Sequence, residues 1–215
     1  MSLDSQIVFI VDDDARIREA LADLLASRGM HSIAFGSARD YIAADKPDIP
    51  ACLILDVELP DINGLDLQGQ IATTNHPPIV FITGHGDIPS SVRAIKRGAV
   101  DFLTKPFSDN DLMTAIDTAI AQDRGNRSAR AELEDLQRRY LELTPREREV
   151  FPLVVSGLLN KQAAAELGIS EVMLQIHRRN VTQKMGVDSF ADLVRVAERM
   201  GIPVKHSRRA GGTRK

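Results

Sequence analysis

At 215 residues and 43% apolar, the chain can build one large core or two small ones, and its lone cysteine, Cys52, excludes an internal disulfide. The N-terminus lacks a basic-then-apolar leader and no run approaches the ~20 apolar residues of a membrane span, so we expect a cytoplasmic protein without a membrane partner. The net charge of −3 conceals an asymmetry: residues 1–120 carry 9 Lys+Arg against 18 Asp+Glu, whereas residues 141–215 carry 13 against 8, which suggests a metal-binding or sensing half joined to a polyanion-binding half.

Short apolar runs punctuate the front half. A strand at 7–11 closes on Asp12, Asp13 and Asp14 and leads to an amphipathic helix near 15–28, with Ile17, Leu21, Leu24 and Leu25 on one face. The weaker strand HSIAF precedes a helix containing Tyr41 and Ile42. A strand over 51–56 ends in Asp56, and after a turn a helix starts near Leu65. A strand at 79–83 ends in Thr83 and precedes a helix near 89–97; a strand at 100–104 runs into Lys105-Pro106 and precedes a last helix from about 108 to 121. Five βα repeats with continuous apolar strands predict a five-stranded parallel sheet covered on both faces, a flavodoxin-like α/β domain over residues 1–121.

Gly125 and its polar neighbours interrupt the apolar pattern, and residues 122–140 are expected to form a helical linker. Ala129, Leu133, Leu136, Tyr140 and Leu143 recur at coiled-coil spacing, which fits either packing on the chain's own domains or dimerisation. Residues 141–203 read as an all-α four-helix domain. Thr144-Pro145-Arg146-Glu147 is a capping box with Pro at the first helical position. Helices follow at about 160–167, 171–185 (capped by Ser170) and 190–200, and the basic tail 204–215 is expected to be disordered.

The polar residues of the front half gather at the carboxyl ends of the predicted strands, where open α/β sheets bind ligands. Two carboxylates held about 4 Å apart repel by roughly 4 kcal/mol at an effective dielectric near 20, so Asp12, Asp13 and Asp56 require compensation. An oxygen-rich acidic pocket suits Mg2+, and Lys105 adds a fixed positive charge. In such a pocket one carboxylate can attack a phosphoryl group while the cations stabilise its oxygens. Cys52, inside a strand, reads as a buried, inert thiol.

With these residues in place, positions 5–121 resemble the receiver domain of two-component response regulators. The resemblance implies that Asp12 and Asp13, with Asp56 and the backbone carbonyl of Glu58, hold Mg2+ (or Mn2+). It implies that Asp56, followed by Leu59-Pro60 and Asn63-Gly64, is the phosphoacceptor. Thr83 matches the family's switch hydroxyl, Lys105 before Pro106 its cation, and Phe102 its switch aromatic. Phe102 lacks the hydroxyl many relatives carry, so it is expected to switch by packing. Glu58 and His85 match positions that tune how fast water removes the phosphate. A haloacid-dehalogenase-type phosphatase also uses a strand-end Asp with an acid two residues on, as Glu58 stands to Asp56, but places it after the first strand.

In the back half, NKQAAAELGIS followed by EVMLQIHRRNVTQKM has the small-residue helix, Gly turn and capped second helix of a helix–turn–helix. Val172, Leu174, Ile176 and Val181 are candidates for core or packing contacts, and Gln175, Arg178, Arg179, Thr182 and Lys184 offer polar heads. LTPREREV, GLLNKQAAAELGIS and KMGVDSFADLV resemble the LuxR/FixJ-type DNA-binding domain, and the whole chain resembles the FixJ/NarL group of response regulators. This implies base contacts from Gln175, Ile176 and Arg179, phosphate contacts from Lys161, Ser170, Arg178 and Lys184, and a structural role for His177. Val172 and Met173-Leu174 depart from the residues common in relatives, which leaves the target sequence open.

The expectation is a phosphorylation-dependent transcription regulator whose partners are a sensor histidine kinase, double-stranded DNA and RNA polymerase. The phosphorylated form is expected to homodimerise through a surface that includes Arg93, Lys96, Arg97, Asp101 and the 110–117 helix. Beyond Mg2+-dependent self-phosphorylation from a phosphodonor and self-dephosphorylation, no enzymatic activity is expected. The alternative is a constitutive or ligand-responsive DNA-binding protein with a non-signalling receiver.

Overall fold

The computed structural model describes residues 6–84 and 88–203, and the chain divides into two units after Arg127. His85 and the tail 204–215 lie outside the described residues.

In the first unit, β1 (Ile7–Val11), β2 (His31–Phe35), β3 (Ala51–Asp56), β4 (Ile79–Thr83) and β5 (Asp101–Thr104) form a parallel sheet of order β2-β1-β3-β4-β5. The chain reverses its direction of winding between β1 and β3, which makes the carboxyl ends of those strands the topological switch point. Every residue of β1, β3 and β4 is buried, as expected of strands covered on both faces.

The strand alternation splits these residues between two cores. Ile7, Phe9, Val11, Leu53, Leu55 and Phe81 pack on the side of α2 (Ala38–Ala43), α3 (Gly64–Ile71) and α4 (Ile88–Lys96). Val8, Ile10, Cys52, Ile54, Val80 and Ile82 pack on the side of α1 (Ala15–Ser27) and the first part of α5 (Asp109–Leu141). Cys52 is fully buried, and burial pushes its thiol far above the usual range.

One element differs from the sequence reading. The helix expected to end near 121 continues as α5 to Leu141, through Gly125. Asp123, Arg124 and Arg127 hold its middle on the first unit, Arg124 by donating to Gln6 Oε1 at 2.8 Å. Asp123, buried, accepts a hydrogen bond from the Ala51 N–H at 2.9 Å, and Arg127 Nε lies 2.7 Å from the same carboxylate oxygen while also pairing with Asp48.

The second unit contains the end of α5 with α6 (Pro145–Val155), α7 (Asn160–Leu167), α8 (Glu171–Met185) and α9 (Phe190–Arg199). Its core is built from Val150, Phe151, Val154, Leu174, Val181, Met185 and Leu193, among others. Leu136, Tyr140 and Leu143 of the predicted seam pack into this core, whereas Ala129 is exposed. The later part of the seam therefore serves the chain's own unit.

Candidate functional site

Local sequence sets the geometry at the strand ends. The third aspartate of the run, Asp14, is a helix cap: its carboxylate accepts from Arg16 N–H at 2.9 Å and starts α1. That leaves Asp12 and Asp13 for the pocket. Asp12 is fully buried; its Oδ1 accepts from Asp14 N–H at 2.9 Å, and Arg18 holds its backbone carbonyl at 2.8 Å. Across the switch point, Asp56 ends β3 and accepts from the Glu58 N–H at 3.0 Å. The β3–α3 turn closes through the Gly64 N–H on Val57 O at 2.9 Å. A Cβ at Gly64 would lie 2.3 Å from the Asp56 carbonyl oxygen, so only glycine permits this approach.

The carboxylates of Asp12, Asp13 and Asp56 each place an oxygen within 4.8 Å of the others. Lys105 Nζ lies 2.7 Å from Asp12 Oδ2 and 2.7 Å from Asp56 Oδ2, and its backbone N–H donates to Thr83 O at 2.7 Å. Burial disfavours the Lys105 ammonium, but hydrogen bonds to the two carboxylates and their charges outweigh it, so its pKa lies above the ordinary lysine value. Burial raises the Asp56 carboxyl above its ordinary range despite the opposing pull of Lys105 and the Glu58 N–H. Thr83 is fully buried at the end of β4, and Phe102, half-buried on β5, packs against Phe81 with ring centroids 6.1 Å apart. The strand ends thus bring Asp12, Asp13, Asp56 and Lys105 into one charged pocket, with Thr83 and Phe102 on its neighbouring strands.

In the second unit, α7, a turn through Gly168 in the left-handed region (φ 65°), and α8 form the helix–turn–helix. Ser170 caps α8 through a hydrogen bond from Met173 N–H at 3.2 Å. Lys161, Gln175, Ile176 and Arg179 are exposed, and His177 is half-buried. Of the four apolar residues expected to pack, Leu174 and Val181 are buried, but Val172 and Ile176 face outward, because they lie on the side of α8 opposite the core. Arg178 is turned onto Asn160 at 2.6 Å and over the Phe190 ring at 5.5 Å. Lys184 is turned inward as well, 2.7 Å from the buried Glu147. No local sequence signal pairs Glu147 with Lys184, since they meet only in three dimensions.

An acidic pocket with a bridging lysine at the switch point of a parallel sheet, followed by a helix–turn–helix unit, defines a two-part signalling protein. Residues 8–117 match the family described as response regulator receiver domain, and residues 141–197 match bacterial regulatory proteins of the luxR family. Nodulation protein W of Bradyrhizobium diazoefficiens is 48% identical over 202 residues, covering 94% of this chain and 89% of its own. Transcriptional regulatory protein FixJ of the same organism is 38% identical, covering 91% of this chain and 96% of its own. Among solved structures, response regulator StyR superposes with a TM-score of 0.75 at 43% identity, over 90% of this chain and 98% of that one. The chain belongs to the response regulators that join a receiver to a LuxR-type DNA-binding domain, and it is a transcription regulator of that group.

Among the described residues, no helix is long and apolar enough to cross a membrane.

Proposed function

We propose that Asp56 is the phosphoacceptor of a Mg2+-dependent receiver and that its phosphorylation controls DNA binding by α8 in the cytoplasm. The observation that carries this reading is Lys105 Nζ standing 2.7 Å from both Asp12 and Asp56, inside a cluster of three carboxylates. Hard carboxylate oxygens at this spacing suit Mg2+ (or Mn2+), held by Asp12, Asp13, Asp56 and the backbone carbonyl of Glu58. When bound, the cation supplies charge stabilisation to phosphoryl oxygens.

Asp56 attacks phosphorus through a carboxylate oxygen as the bond from phosphorus to a kinase histidine nitrogen breaks, and that nitrogen keeps the electron pair. Lys105 stabilises the charge on the transferred group. Thr83 turns toward the new phosphate oxygens, and Phe102 repacks on β5. A groove of about 660 Å3 beside Lys105, lined by Ile17, Leu21, Leu24, Pro106 and Phe107, offers the kinase an apolar seat. Hydrolysis of the acyl phosphate by water, tuned by Glu58 and His85, resets the receiver.

Exposed Ile88, Val92 and Ile95 on α4 support dimerisation of the phosphorylated form through α4, β5 and α5, with Arg93, Lys96 and Asp101 on the same surface. Arg97 is committed to Leu65 O at 2.9 Å and acts within the receiver. On DNA, Gln175, Ile176 and Arg179 meet bases while Lys161, Ser170 and Arg178 meet phosphates. Lys184 reaches a phosphate only by leaving Glu147, so its part is to position α8. The dimer then presents the promoter to RNA polymerase.

The test is incubation with Mg2+ and acetyl phosphate beside Asp56→Asn, following intact mass and DNA binding together. One added phosphoryl group, lost in the variant, with tighter DNA binding in the wild type, supports the reading. Uptake with unchanged DNA binding points to the constitutive alternative.

A further inference from the structure

The exposed face of α8 is apolar at its centre. Opposite the buried Leu174, Val181 and Met185, the exposed positions are Val172, Met173, Gln175, Ile176, Arg179 and Gln183, after the first residue of the helix. At about 100° per residue, Val172, Ile176, Arg179 and Gln183 fall on one line along the helix, with Gln175 on one side and Met173 on the other. Val172 is 67% exposed, Met173 44% and Ile176 47%. Any surface that meets the first two turns of α8 therefore meets hydrocarbon first.

The cations of α8 lie elsewhere. Arg178 is held by Asn160 and Phe190, and Lys184 by Glu147, which leaves Arg179 as the α8 cation on the exposed line. Glu171, the first residue of α8, is exposed, and from Val172 to Met185 the helix contains no Asp or Glu, so past that first residue the face sets Arg179 against a polyanion while its centre has nothing to offer a phosphate. In the major groove, the apolar group a duplex presents is the C5-methyl of thymine; the other base-edge groups are hydrogen-bond donors and acceptors. Val, Met and Ile beside Gln and Arg form a mixed surface suited to that pattern.

We infer that Val172, Met173 and Ile176 read thymine methyl groups, so that each half-site carries thymine opposite the first two turns of α8, flanked by bases read by Gln175 and Arg179. The inference rests on the DNA-binding reading of α8. It names the base chemistry that the exposed hydrocarbon selects. It also gives a use to residues whose exposure to water otherwise costs free energy.

The test begins with duplexes recovered from a random library by the full chain in the presence of Mg2+ and acetyl phosphate. In these duplexes each thymine is replaced singly by deoxyuracil, which pairs identically but lacks the methyl group. Wild-type affinity should fall about fourfold at one or more positions in each half-site, the value of one buried methyl-sized group. The triple variant Val172→Ala/Met173→Ala/Ile176→Ala, whose changes lie on the surface, should melt at the wild-type temperature and bind thymine and uracil duplexes alike. Equal wild-type affinity for both duplexes, or a triple variant that keeps the discrimination, would overturn the inference while leaving DNA binding intact. Recovery of no duplex at all would overturn the DNA-binding reading along with it.

Discussion

Lys184 Nζ lies 2.7 Å from Glu147 Oε2, so the last turn of α8 is tied to the first turn of α6. The same Glu147 oxygen accepts from the Thr144 N–H at 2.9 Å, closing the capping box. One carboxylate therefore fixes both the start of α6 and the placement of α8. Burial works against the ionised form, but hydrogen bonds from Lys184 and Thr144 prevail and hold the Glu147 pKa at about 2, below the ordinary 4.5.

Glu147→Gln keeps a side chain able to close the capping box but loses the charge facing Lys184, and should cost about 1–2 kcal/mol; Glu147→Ala loses both and should cost roughly 3 kcal/mol. Because the folded pKa is depressed, this stabilisation is present above about pH 4.5 and is lost as pH falls toward 2. Hydrogen exchange at the α6 and α8 amides, followed from pH 7 to 3, should show acid-sensitive protection in the wild type. In Glu147→Gln that protection should start lower and depend less on pH. Lys184→Ala should reproduce the loss, while the salt dependence of DNA binding keeps its slope, in contrast to the drop of about one expected from removing a phosphate contact.

Lys105 neutralises Asp12 and Asp56 together. Without it, two carboxylates less than 5 Å apart repel by about 3 kcal/mol at an effective dielectric near 20. Lys105→Met should therefore melt below the wild type in the presence of a chelator and gain more in Tm than the wild type when Mg2+ is added. The deficit should shrink as pH falls, because protonating Asp56, whose carboxyl burial already raises, removes one of the repelling charges. Phosphoryl uptake from acetyl phosphate should drop by about 100-fold, the scale of losing one charge-stabilising donor. An equal Mg2+ response in both proteins would detach Lys105 from the acidic cluster.

The strand ends were legible because short apolar runs stop at polar residues, and a parallel sheet aligns those stops on one edge. That places Asp12, Asp56, Thr83 and Lys105 together without any coordinate. The starts of α6 and α8 were legible through Pro145 and Ser170. What the sequence hid depends on partners distant along the chain. Val172 and Leu174 are both aliphatic, and only the position of the core decides that one is exposed and the other buried. Arg178, Arg179 and Lys184 are equally cationic on paper, yet Asn160 and Glu147 engage two of them.

Gly64 tests how closely α3 must approach the end of β3. Its backbone is not in the left-handed region, so the close approach to Asp56 O is the reason for glycine there. Gly64→Ala must displace α3 or the end of β3, at a cost of about 1–3 kcal/mol. Phosphoryl uptake should slow more than stability falls, because the displaced atoms belong to Asp56 and Val57. Urea unfolding compared with the rate of mass gain from acetyl phosphate separates the two effects; an unchanged rate would remove Gly64 from the site.

Asp123 makes the polar stretch 121–127 part of the first unit. Its charge and the nearby Gly125 look like a linker, but the carboxylate is buried, accepts the Ala51 N–H at 2.9 Å and pairs with Arg127 at 2.7 Å. The Ala51 N–H stands at the start of β3, whose far end is Asp56, so α5 is fastened to the strand that ends in Asp56. Asp123→Ala leaves that buried N–H without a partner and should destabilise the first unit by about 2–3 kcal/mol. Asp123→Asn retains an acceptor but loses the charge pair with Arg127, and should cost about half as much. A fragment ending at residue 121 lacks both Asp123 and Arg127 and should melt well below one ending at 130. Identical melting of the two fragments would show that the clasp contributes nothing and that the receiver ends before it.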